Sequence, residues 1–200
     1  MNVCGCAAET DMAFCTRTMK TCGPVTAADN CGTMRMVASC GTCTAPQTCG
    51  GGGTANRCGG PTVGTVYAVV ARQSGKCLDV PAASTVSGTR LQQFTCNAST
   101  AQQFRLTAAP GNSFTITNSD GLCVDIASSS TADAAAVQQF TCNGTTAQQF
   151  TLTDKGGGNF NIVNVNSGKC LDVTGSGLTD GTLIQQWTCG TGMNQQWAFQ

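Results

Sequence analysis

Three aspartates in the second half of the chain stand at matching positions, each followed at the same distance by a glutamine and an aromatic residue. An ionised carboxylate only accepts hydrogen bonds, which suits two neighbouring hydroxyl groups, and charge-assisted bonds are the stronger kind. Glutamine both donates and accepts, and an aromatic ring offers a flat apolar face to a sugar ring. This combination suits a shallow site for a neutral polyol better than a reaction centre. The three sets are Asp79, Gln92 and Phe94; Asp125, Gln138 and Phe140; and Asp172, Gln185 and Trp187.

Internal repeats position these sets. Each repeat reads Cys-(Leu/Val)-Asp-(Val/Ile), then Gln-Gln-(Phe/Trp)-Thr-Cys, then Gln-Gln-(Phe/Trp), and the repeats are offset by 46 and then 47 residues. Repetition with a period of this size determines how the fold is interpreted. Six cysteines form three pairs spaced by 19 residues, namely Cys77 and Cys96, Cys123 and Cys142, and Cys170 and Cys189.

Each repeat is predicted to consist of short strands, because apolar and polar residues alternate between runs of Gly, Ser, Asn and Thr. A leading strand precedes each cysteine block, at 66–70, 114–117 and 160–163. This gives four strands per repeat and twelve in all. No stretch has an amphipathic helical period of useful length.

Strand alternation predicts which side chains share a face. Leu78 and Val80 should point to the core, and Asp79 to the other side together with Cys77. If Cys77 bonds Cys96, their Cβ atoms lie roughly 4 Å apart, and the first aspartate, glutamine and aromatic residue come to one side of the repeat. The same reasoning groups the second and third sets.

The threefold pattern, closed in the third repeat by a Gln-x-Trp block, resembles the ricin B-chain-type lectins, also called carbohydrate-binding module family 13. The resemblance covers about residues 64–200. It implies an all-β fold, a β-trefoil with pseudo-threefold symmetry and repeats of about 64–108, 109–154 and 155–200. It also implies sugar binding, with galactose or N-acetylgalactosamine favoured and xylan-type chains as another option.

The resemblance further implies that the aspartate, the first glutamine, the aromatic residue and a closing Asn-Gln pair contact sugar. The third repeat has the complete set, whereas Ala101 and Ala147 replace the asparagine in the first two repeats and Phe replaces the usual Trp or Tyr. Those two sites are therefore predicted to be weaker, altered in preference or vestigial. The implied residues are Asp172, Gln185, Trp187, Asn194 and Gln195; Asp79, Gln92, Phe94 and Gln102; and Asp125, Gln138, Phe140 and Gln148.

Other side chains of the repeats have plainer interpretations. The closing aromatic residues Phe104, Phe150 and Trp197 are predicted to lie in the core. Trp187 is instead expected at the surface, because alternation places it beside Asp172. The second glutamine of each Gln-Gln pair is expected to satisfy buried backbone groups.

Composition excludes several classes of function. Charged residues make up 10% of the chain, the net charge is zero and histidine is absent. The chain therefore lacks Ser-His-Asp or Cys-His catalysis, an imidazole metal ligand and the basic face of a nucleic-acid binder. The longest apolar run, Val66 to Ala71, is far shorter than the roughly 20 residues of a membrane span, so no membrane insertion is expected. Neither a metal nor a cofactor is expected.

Three functions remain in competition. The favoured one is a non-catalytic lectin that binds neutral glycans. A glycosidase needs two carboxyl groups roughly 5 to 10 Å apart, whereas the repeat aspartates should lie further apart; the chain could still be the targeting module of a longer secreted glycoside hydrolase. A trefoil that binds protein is the third possibility.

Residues 1–60 contain nine cysteines and are too few and too polar for a core of their own, so we predict a small, loop-rich domain held by disulfides. Eight cysteines allow 105 pairings, which the sequence leaves open. Cys40-Gly-Thr-Cys43 is assigned to structural disulfides ahead of zinc or redox chemistry, because histidine and a second Cys-x-x-Cys are absent. This part resembles small cysteine-rich modules attached to secreted bacterial hydrolases and lectins.

The cysteine content also predicts an oxidising, extracellular location. The sequence begins Met-Asn-Val-Cys without an apolar signal region, so we expect a secretion signal that is not part of this numbering. The odd cysteine of the nine is expected to be Cys4, either free or joining two chains as a disulfide-linked dimer.

Overall fold

A computed structural model describes residues 6–51 and 54–200. Residues 6–60 of this structure, here called the head, begin with the short helix α1 (Asp11–Arg17), followed by a hairpin of β1 (Val25–Ala28) and β2 (Met34–Val37) and a hairpin of β3 (Thr48–Cys49) and β4 (Cys58–Gly59). The Thr10 hydroxyl caps α1 by accepting a hydrogen bond from Ala13 N at 3.2 Å. Helix α1 was not predicted, because seven residues are too few to show a helical period.

Disulfides hold the head together. Its buried apolar residues are few, with Phe14, Val25 and Val37 as the main side chains. Closing a loop of 15 residues stabilises a fold by about 3 kcal/mol in the chain-entropy account. The four bridges join Cys6 to Cys31, Cys15 to Cys40, Cys22 to Cys49, and Cys43 to Cys58.

The Cys40-x-x-Cys43 segment therefore contributes to two different bridges. The sulfur atoms of Cys22, Cys43 and Cys58 lie within 4.8 Å of one another, but all three belong to disulfides and offer no thiolate to a metal. Cys4, the expected odd cysteine, lies outside the described residues.

The rest of the chain is a β-trefoil, as predicted. It has thirteen strands where twelve were predicted, because the first leading strand is divided into two at Ala68, although Ala68 exchanges backbone hydrogen bonds with Gln200 at 2.8 and 3.0 Å and so continues the pairing with the last strand. The first repeat contains β5 (Val66–Tyr67), β6 (Val69–Ala71), β7 (Cys77–Asp79), β8 (Gln92–Phe94) and β9 (Phe104–Ala109). The second contains β10 (Ser113–Asn118), β11 (Cys123–Ile126), β12 (Val137–Phe140) and β13 (Phe150–Asp154). The third contains β14 (Asn159–Asn164), β15 (Cys170–Val173), β16 (Ile184–Trp187) and β17 (Trp197–Phe199).

The leading and closing strands of the repeats form a closed barrel. β10 pairs with β9 and β13, and β14 pairs with β13 and β17. β5 then pairs with β9 and β6 with β17, which completes the ring. The two middle strands of each repeat form an antiparallel hairpin beside the barrel, as β7–β8, β11–β12 and β15–β16.

The core confirms the predictions made from alternation. Leu78 and Val80 are buried, as are their counterparts in the other repeats. The closing aromatic residues Phe104, Phe150 and Trp197 are fully enclosed in the same cluster. The three repeat disulfides form as paired by spacing, Cys77–Cys96, Cys123–Cys142 and Cys170–Cys189.

The head packs against the barrel near the third repeat. A Cβ atom at Gly51 or Gly60 would lie 3.0 Å from the Phe160 ring, so glycine permits the close approach of the backbone. Ala45 N donates to Asn112 Oδ1 at 2.8 Å across the same boundary. Within the described residues, no helix is long and apolar enough to cross a membrane.

Candidate sugar-binding sites

Each hairpin of the trefoil carries one aspartate paired with one glutamine. The antiparallel register places Asp79 opposite Gln92, Asp125 opposite Gln138, and Asp172 opposite Gln185. In every repeat the glutamine Nε2 donates to the aspartate Oδ1, at 2.8, 2.8 and 2.9 Å. The aspartate and the first glutamine of each predicted set are thus brought together.

The third repeat surrounds its aspartate with the most donors. Asp172 Oδ2 accepts from Asn194 Nδ2 at 2.7 Å and from Gln195 Nε2 at 2.9 Å, in addition to the bond from Gln185 to Oδ1. A carboxylate offers about four lone-pair positions, of which three are then occupied. Among the residues that the structure describes, none donates to the remaining position on Oδ1, which leaves that position for a further donor such as a sugar hydroxyl.

Burial and hydrogen bonding act on Asp172 in opposite directions. Burial is the larger influence and raises the pKa of the carboxyl above its ordinary value, whereas the bonds from Gln185, Gln195 and Asn194 lower it. The nearby negative charge of Asp133 also raises the pKa. The three amides therefore offset part of the desolvation that the fold imposes on this carboxylate.

The first repeat has two donors on its aspartate. Gln102 Nε2 donates to Asp79 Oδ2 at 3.0 Å, and Gln92 binds Oδ1. Ala101, in the place of the third repeat's asparagine, has no side-chain donor to add.

The second repeat has a single donor. Gln138 binds Asp125 Oδ1, and within the described residues Gln148 makes no hydrogen bond to Asp125. Gln148 Nε2 donates instead to Thr141 O at 3.0 Å. Ala147 fills the place of the asparagine here.

The predicted aromatic residues lie at the surface beside each hairpin. Trp187 is 43% exposed, Phe94 37% and Phe140 38%, although all three are large apolar side chains. An open cavity of about 550 Å³ lies against Trp187, lined also by Asp172, Gln185 and Asn194. The corresponding cavity of the first repeat, beside Phe94 and Asp79, measures about 220 Å³.

Two of the three closing-motif glutamines, Gln195 and Gln102, donate to the aspartate of their own repeat from a buried position. Gln195 is buried, its Oε1 accepts from Gly190 N at 2.7 Å, and its Nε2 is shared between Asp172 and Thr188 O. Gln102 and Gln148 are held in the same way by Asn97 N and Asn143 N. Their hydrogen-bonding atoms are directed inward, whereas Asn194 is partly exposed.

The second glutamine of each Gln-Gln pair links neighbouring repeats. Gln93 Nε2 donates to Gly177 O and Thr179 O, which belong to the loop that follows Asp172. Gln139 and Gln186 make equivalent pairs of bonds to carbonyl groups in the loop of the preceding repeat. These glutamines satisfy backbone carbonyl groups, although those carbonyls belong to partly buried or exposed loop residues, and each glutamine fixes the loop beside another repeat's site.

Sequence reasoning missed a set of cross-repeat anchors, defined as Ser87, Asp133 and Asp180. Each accepts a hydrogen bond from the backbone N–H that follows a surface aromatic residue: Thr141 N to Ser87 Oγ at 3.0 Å, Thr188 N to Asp133 Oδ1 at 2.7 Å, and Thr95 N to Asp180 Oδ1 at 2.7 Å. The anchors follow the same offsets of 46 and 47 residues as the cysteines, and that spacing could have revealed them.

Two of the anchors are also ion-paired. Lys169 Nζ lies 2.7 Å from Asp133 Oδ1, and Lys76 Nζ lies 2.6 Å from Asp180 Oδ1. The hydrogen bond from the lysine is the main reason why the pKa of each aspartate is lowered. At the second repeat, Leu122 stands in place of the lysine, and the anchor that its Thr141 contacts is Ser87 of the first repeat in place of an aspartate, so both charges are absent together.

The trefoil is similar to a known protein family and to several solved structures. The family described as the ricin-type beta-trefoil lectin domain matches residues 65–197. No curated protein sequence matches the chain significantly.

Three solved structures illustrate the similarity. A designed threefold-symmetric protein, ThreeFoil, is 36% identical with a TM-score of 0.66, over 67% of this chain and 96% of that one. The exo-beta-1,3-galactanase 1,3Gal43A from Clostridium thermocellum is 33% identical with a TM-score of 0.67, over 73% of this chain and 32% of that one, so the match spans about a third of the enzyme. A ricin B-like lectin of Macrolepiota procera in complex with lactose shares the fold, at 19% identity and a TM-score of 0.61 over 70% of this chain and 98% of that one.

Proposed function

This chain belongs to the family of ricin-type β-trefoil lectin domains, and from that premise we propose that it is an extracellular, non-catalytic protein that binds neutral glycans, chiefly through its third repeat. The proposal divides the chain into a disulfide-stabilised domain at 1–60 and a sugar-binding trefoil at 64–200. Seven disulfides are typical of proteins that work in an oxidising environment.

The proposal is supported chiefly by the environment of Asp172. One lone-pair position of its carboxylate stays open next to the partly exposed Asn194 and the exposed Trp187 ring, beside a cavity of about 550 Å³. A pyranose can place a hydroxyl on the carboxylate and its apolar face on the ring. The cavity is within the range of about 300–1,000 Å³ that small-ligand sites occupy.

The same cavity supports a binding role rather than hydrolysis. Asp172 is the one carboxylate among its lining residues. Glycoside hydrolysis generally uses a pair of carboxyl groups that flank the scissile bond. The nearby Asp133 is held by Lys169 and Thr188 and has a lowered pKa, which is opposite to what a general acid needs.

We propose galactose-type sugars as the ligand class. Two of the similar structures are described as a galactanase and as a lectin in complex with lactose, which supports this choice over xylan-type chains. Single open sites bind weakly, so useful avidity would come from several sites engaging one polyvalent surface.

A second candidate is that the chain serves as the targeting module of a longer secreted glycoside hydrolase. The match to a third of a galactanase favours it. Sugar recognition would be the same in both cases. Mass spectrometry of the native secreted species distinguishes them, because the second candidate requires a mass well above 20.3 kDa.

A glycan array with the wild type, Asp79→Ala, Asp125→Ala, Asp172→Ala and the triple variant tests the proposal. We expect binding to galactose-terminated glycans that Asp172→Ala reduces most and the triple variant abolishes. Circular dichroism and the melting temperature should confirm that the variants are folded. Unchanged binding by a folded triple variant contradicts the proposal.

A further inference from the structure

A further cavity of the trefoil lies outside the three aspartate sites, at the seam where the barrel closes. This seam cleft, of about 650 Å³, is lined by Val66, Tyr67, Ala68, Asn97, Gln103 and Gln200, together with the Cys77–Cys96 bridge and adjoining residues. Between β5 and β6, Ala68 exchanges backbone hydrogen bonds with Gln200 at 2.8 and 3.0 Å, so the leading strand of the first repeat pairs with the end of the chain at this seam.

Gln103 differs from Gln149, its counterpart in the second repeat, because the first repeat lacks the serine that donates to Gln149. In the second repeat Gln149 is 8% exposed, and its Oε1 accepts from the Ser113 hydroxyl at 3.2 Å. The pairing of Tyr67 with Phe104, and of Phe114 with Phe150, puts Val66 in the place of Ser113. Valine cannot donate. Gln103 is accordingly exposed, and within the described residues its Oε1 accepts no hydrogen bond.

The third repeat supports the same contrast. Gln196 is 5% exposed, and its Oε1 accepts from Arg72 Nη1 at 2.5 Å. Within the described residues, Gln103 is therefore the one of the three whose side-chain oxygen accepts no hydrogen bond, while its Nε2 donates to Ala98 O at 3.5 Å, and it lies at the rim of a cavity. A group that can both donate and accept is suited to forming hydrogen bonds with hydroxyl groups.

The lining of the seam cleft matches an uncharged ligand with an apolar face. It combines the Tyr67 ring and small apolar side chains with the amides of Asn97, Gln103 and Gln200, and it contains no charged side chain. The Tyr67 hydroxyl is held by Thr62 N at 2.9 Å, and the ring packs edge-on against Phe199 at 5.6 Å, so the ring is fixed in place.

The seam cleft adjoins the first aspartate site. Asn97 lines both cavities, and the buried Gln102 lines the seam cleft while donating to Asp79 in the site. The first site alone, at about 220 Å³, is smaller than the about 300–1,000 Å³ typical of small-ligand sites. The two cavities therefore lie on either side of Asn97, which both share as a lining residue.

We infer that the seam cleft is an extended subsite of the first repeat, in which a neutral oligosaccharide with its end at Asp79 continues along Asn97 to Gln103 and Tyr67. This inference rests on the proposed sugar-binding function. It gives the first repeat a preference for chain length, in place of the asparagine and tryptophan contacts available in the third repeat.

Calorimetry with a variant that retains only the first site tests the inference. In the Asp125→Ala/Asp172→Ala background, methyl β-galactoside is compared with β-1,3-galactotriose. We expect the trisaccharide to bind at least tenfold more tightly, and a measurable trisaccharide with an undetectable monosaccharide counts as that result. Adding Gln103→Ala should weaken the trisaccharide about fivefold and leave the monosaccharide unchanged.

Two further variants serve as controls for this experiment. Gln149→Ala changes the matching position of the silenced second repeat and should leave both ligands unaffected. Val66→Trp should fill the cleft and abolish the advantage of the trisaccharide, and its partly exposed position favours normal folding, which the melting temperature checks.

The failure of this inference can be told apart from failure of the proposed function. Equal affinities for the two ligands in the first-site variant, or a trisaccharide advantage that survives Val66→Trp, overturn the extended subsite. The same holds if neither ligand binds the first-site variant while the wild type binds methyl β-galactoside, and the proposed function then stands. If the wild type binds neither ligand, both conclusions fall.

Discussion

The second and third repeats each contain the same type of hairpin, but they differ in the side chains that surround its aspartate. Their Asp–Gln pairs have the same register and nearly the same length, 2.8 Å in one and 2.9 Å in the other. Asp172 accepts from three amides, whereas Asp125 accepts from Gln138 alone within the described part of the chain. The pair itself is therefore part of the repeat architecture, and the added asparagine and tryptophan distinguish the third site.

Recurrence of the aspartate in every repeat does not by itself make each aspartate a binding site. Burying a carboxylate costs free energy unless donors compensate it. The second repeat manages with one donor, while the third adds donors that also orient the carboxylate. We expect the difference between the repeats to appear in affinity, and four predictions test it.

The largest expected effect is the loss of Asp172 against the loss of Asp125. Asp172→Ala removes the charged acceptor for the sugar, and hydrogen bonds to charged groups contribute about 1.5–3 kcal/mol each, so affinity for methyl β-galactoside should fall about a hundredfold. Asp125→Ala should change it less than twofold. Titration calorimetry measures both, and equal losses would remove the distinction between the repeats.

The next effect is on pH dependence. Because burial raises the pKa of Asp172, its carboxylate gains a proton at a higher pH than an ordinary aspartate of pKa about 3.9. Below that pKa, affinity should fall about tenfold per pH unit. The folded state then holds the proton more readily than the unfolded state, so this group's contribution to the free energy of unfolding rises as the pH falls.

Affinity and stability measured over the same acidic range give the check. Binding by the third repeat should weaken while near-UV circular dichroism stays native. An affinity that remains constant down to pH 3.5 would contradict the role of an ionised Asp172.

A smaller effect is expected from making the third repeat resemble the second. Asn194→Ala removes one of the three donors and a partly exposed amide, which should weaken binding about tenfold, or about 1.4 kcal/mol. The reciprocal pair Ala147→Asn and Phe140→Trp should raise the affinity of the second repeat in an Asp79→Ala/Asp172→Ala background. No gain in that background would mean that loop geometry, rather than residue identity, separates the repeats.

The smallest effect concerns the ring. Trp187→Phe retains an aromatic face but reduces its area, so affinity should drop by about 0.5–1 kcal/mol, or a few-fold. Trp187→Ala should cost more than Trp187→Phe. Quenching of the Trp187 fluorescence by sugar in the wild type provides an independent reading, since Trp197 is fully buried.

Local and periodic features were predictable from the sequence. Alternation identified Leu78 and Val80 as core, repetition paired Cys77 with Cys96, and the spacing placed Trp187 at the surface. The apolar run Val66 to Ala71 predicted the first leading strand but not its partners, because its two parts, β5 and β6, pair with β9 and β17. Which strands become neighbours is determined by closure of the barrel, and no local pattern encodes it.

The sequence by itself determined the repeat, its three Asp-Gln-aromatic sets and its core, because each depends on residues a few positions apart or on a fixed period. Only the tertiary structure decided the four disulfides of the head, the hydrogen-bond partners of the anchors Ser87, Asp133 and Asp180, the failure of Gln148 to reach Asp125, and the seam cleft. These features join segments far apart in the chain. They depend on distances of a few tenths of an ångström and on which strands become neighbours. Neither of these can be deduced from the period of the sequence.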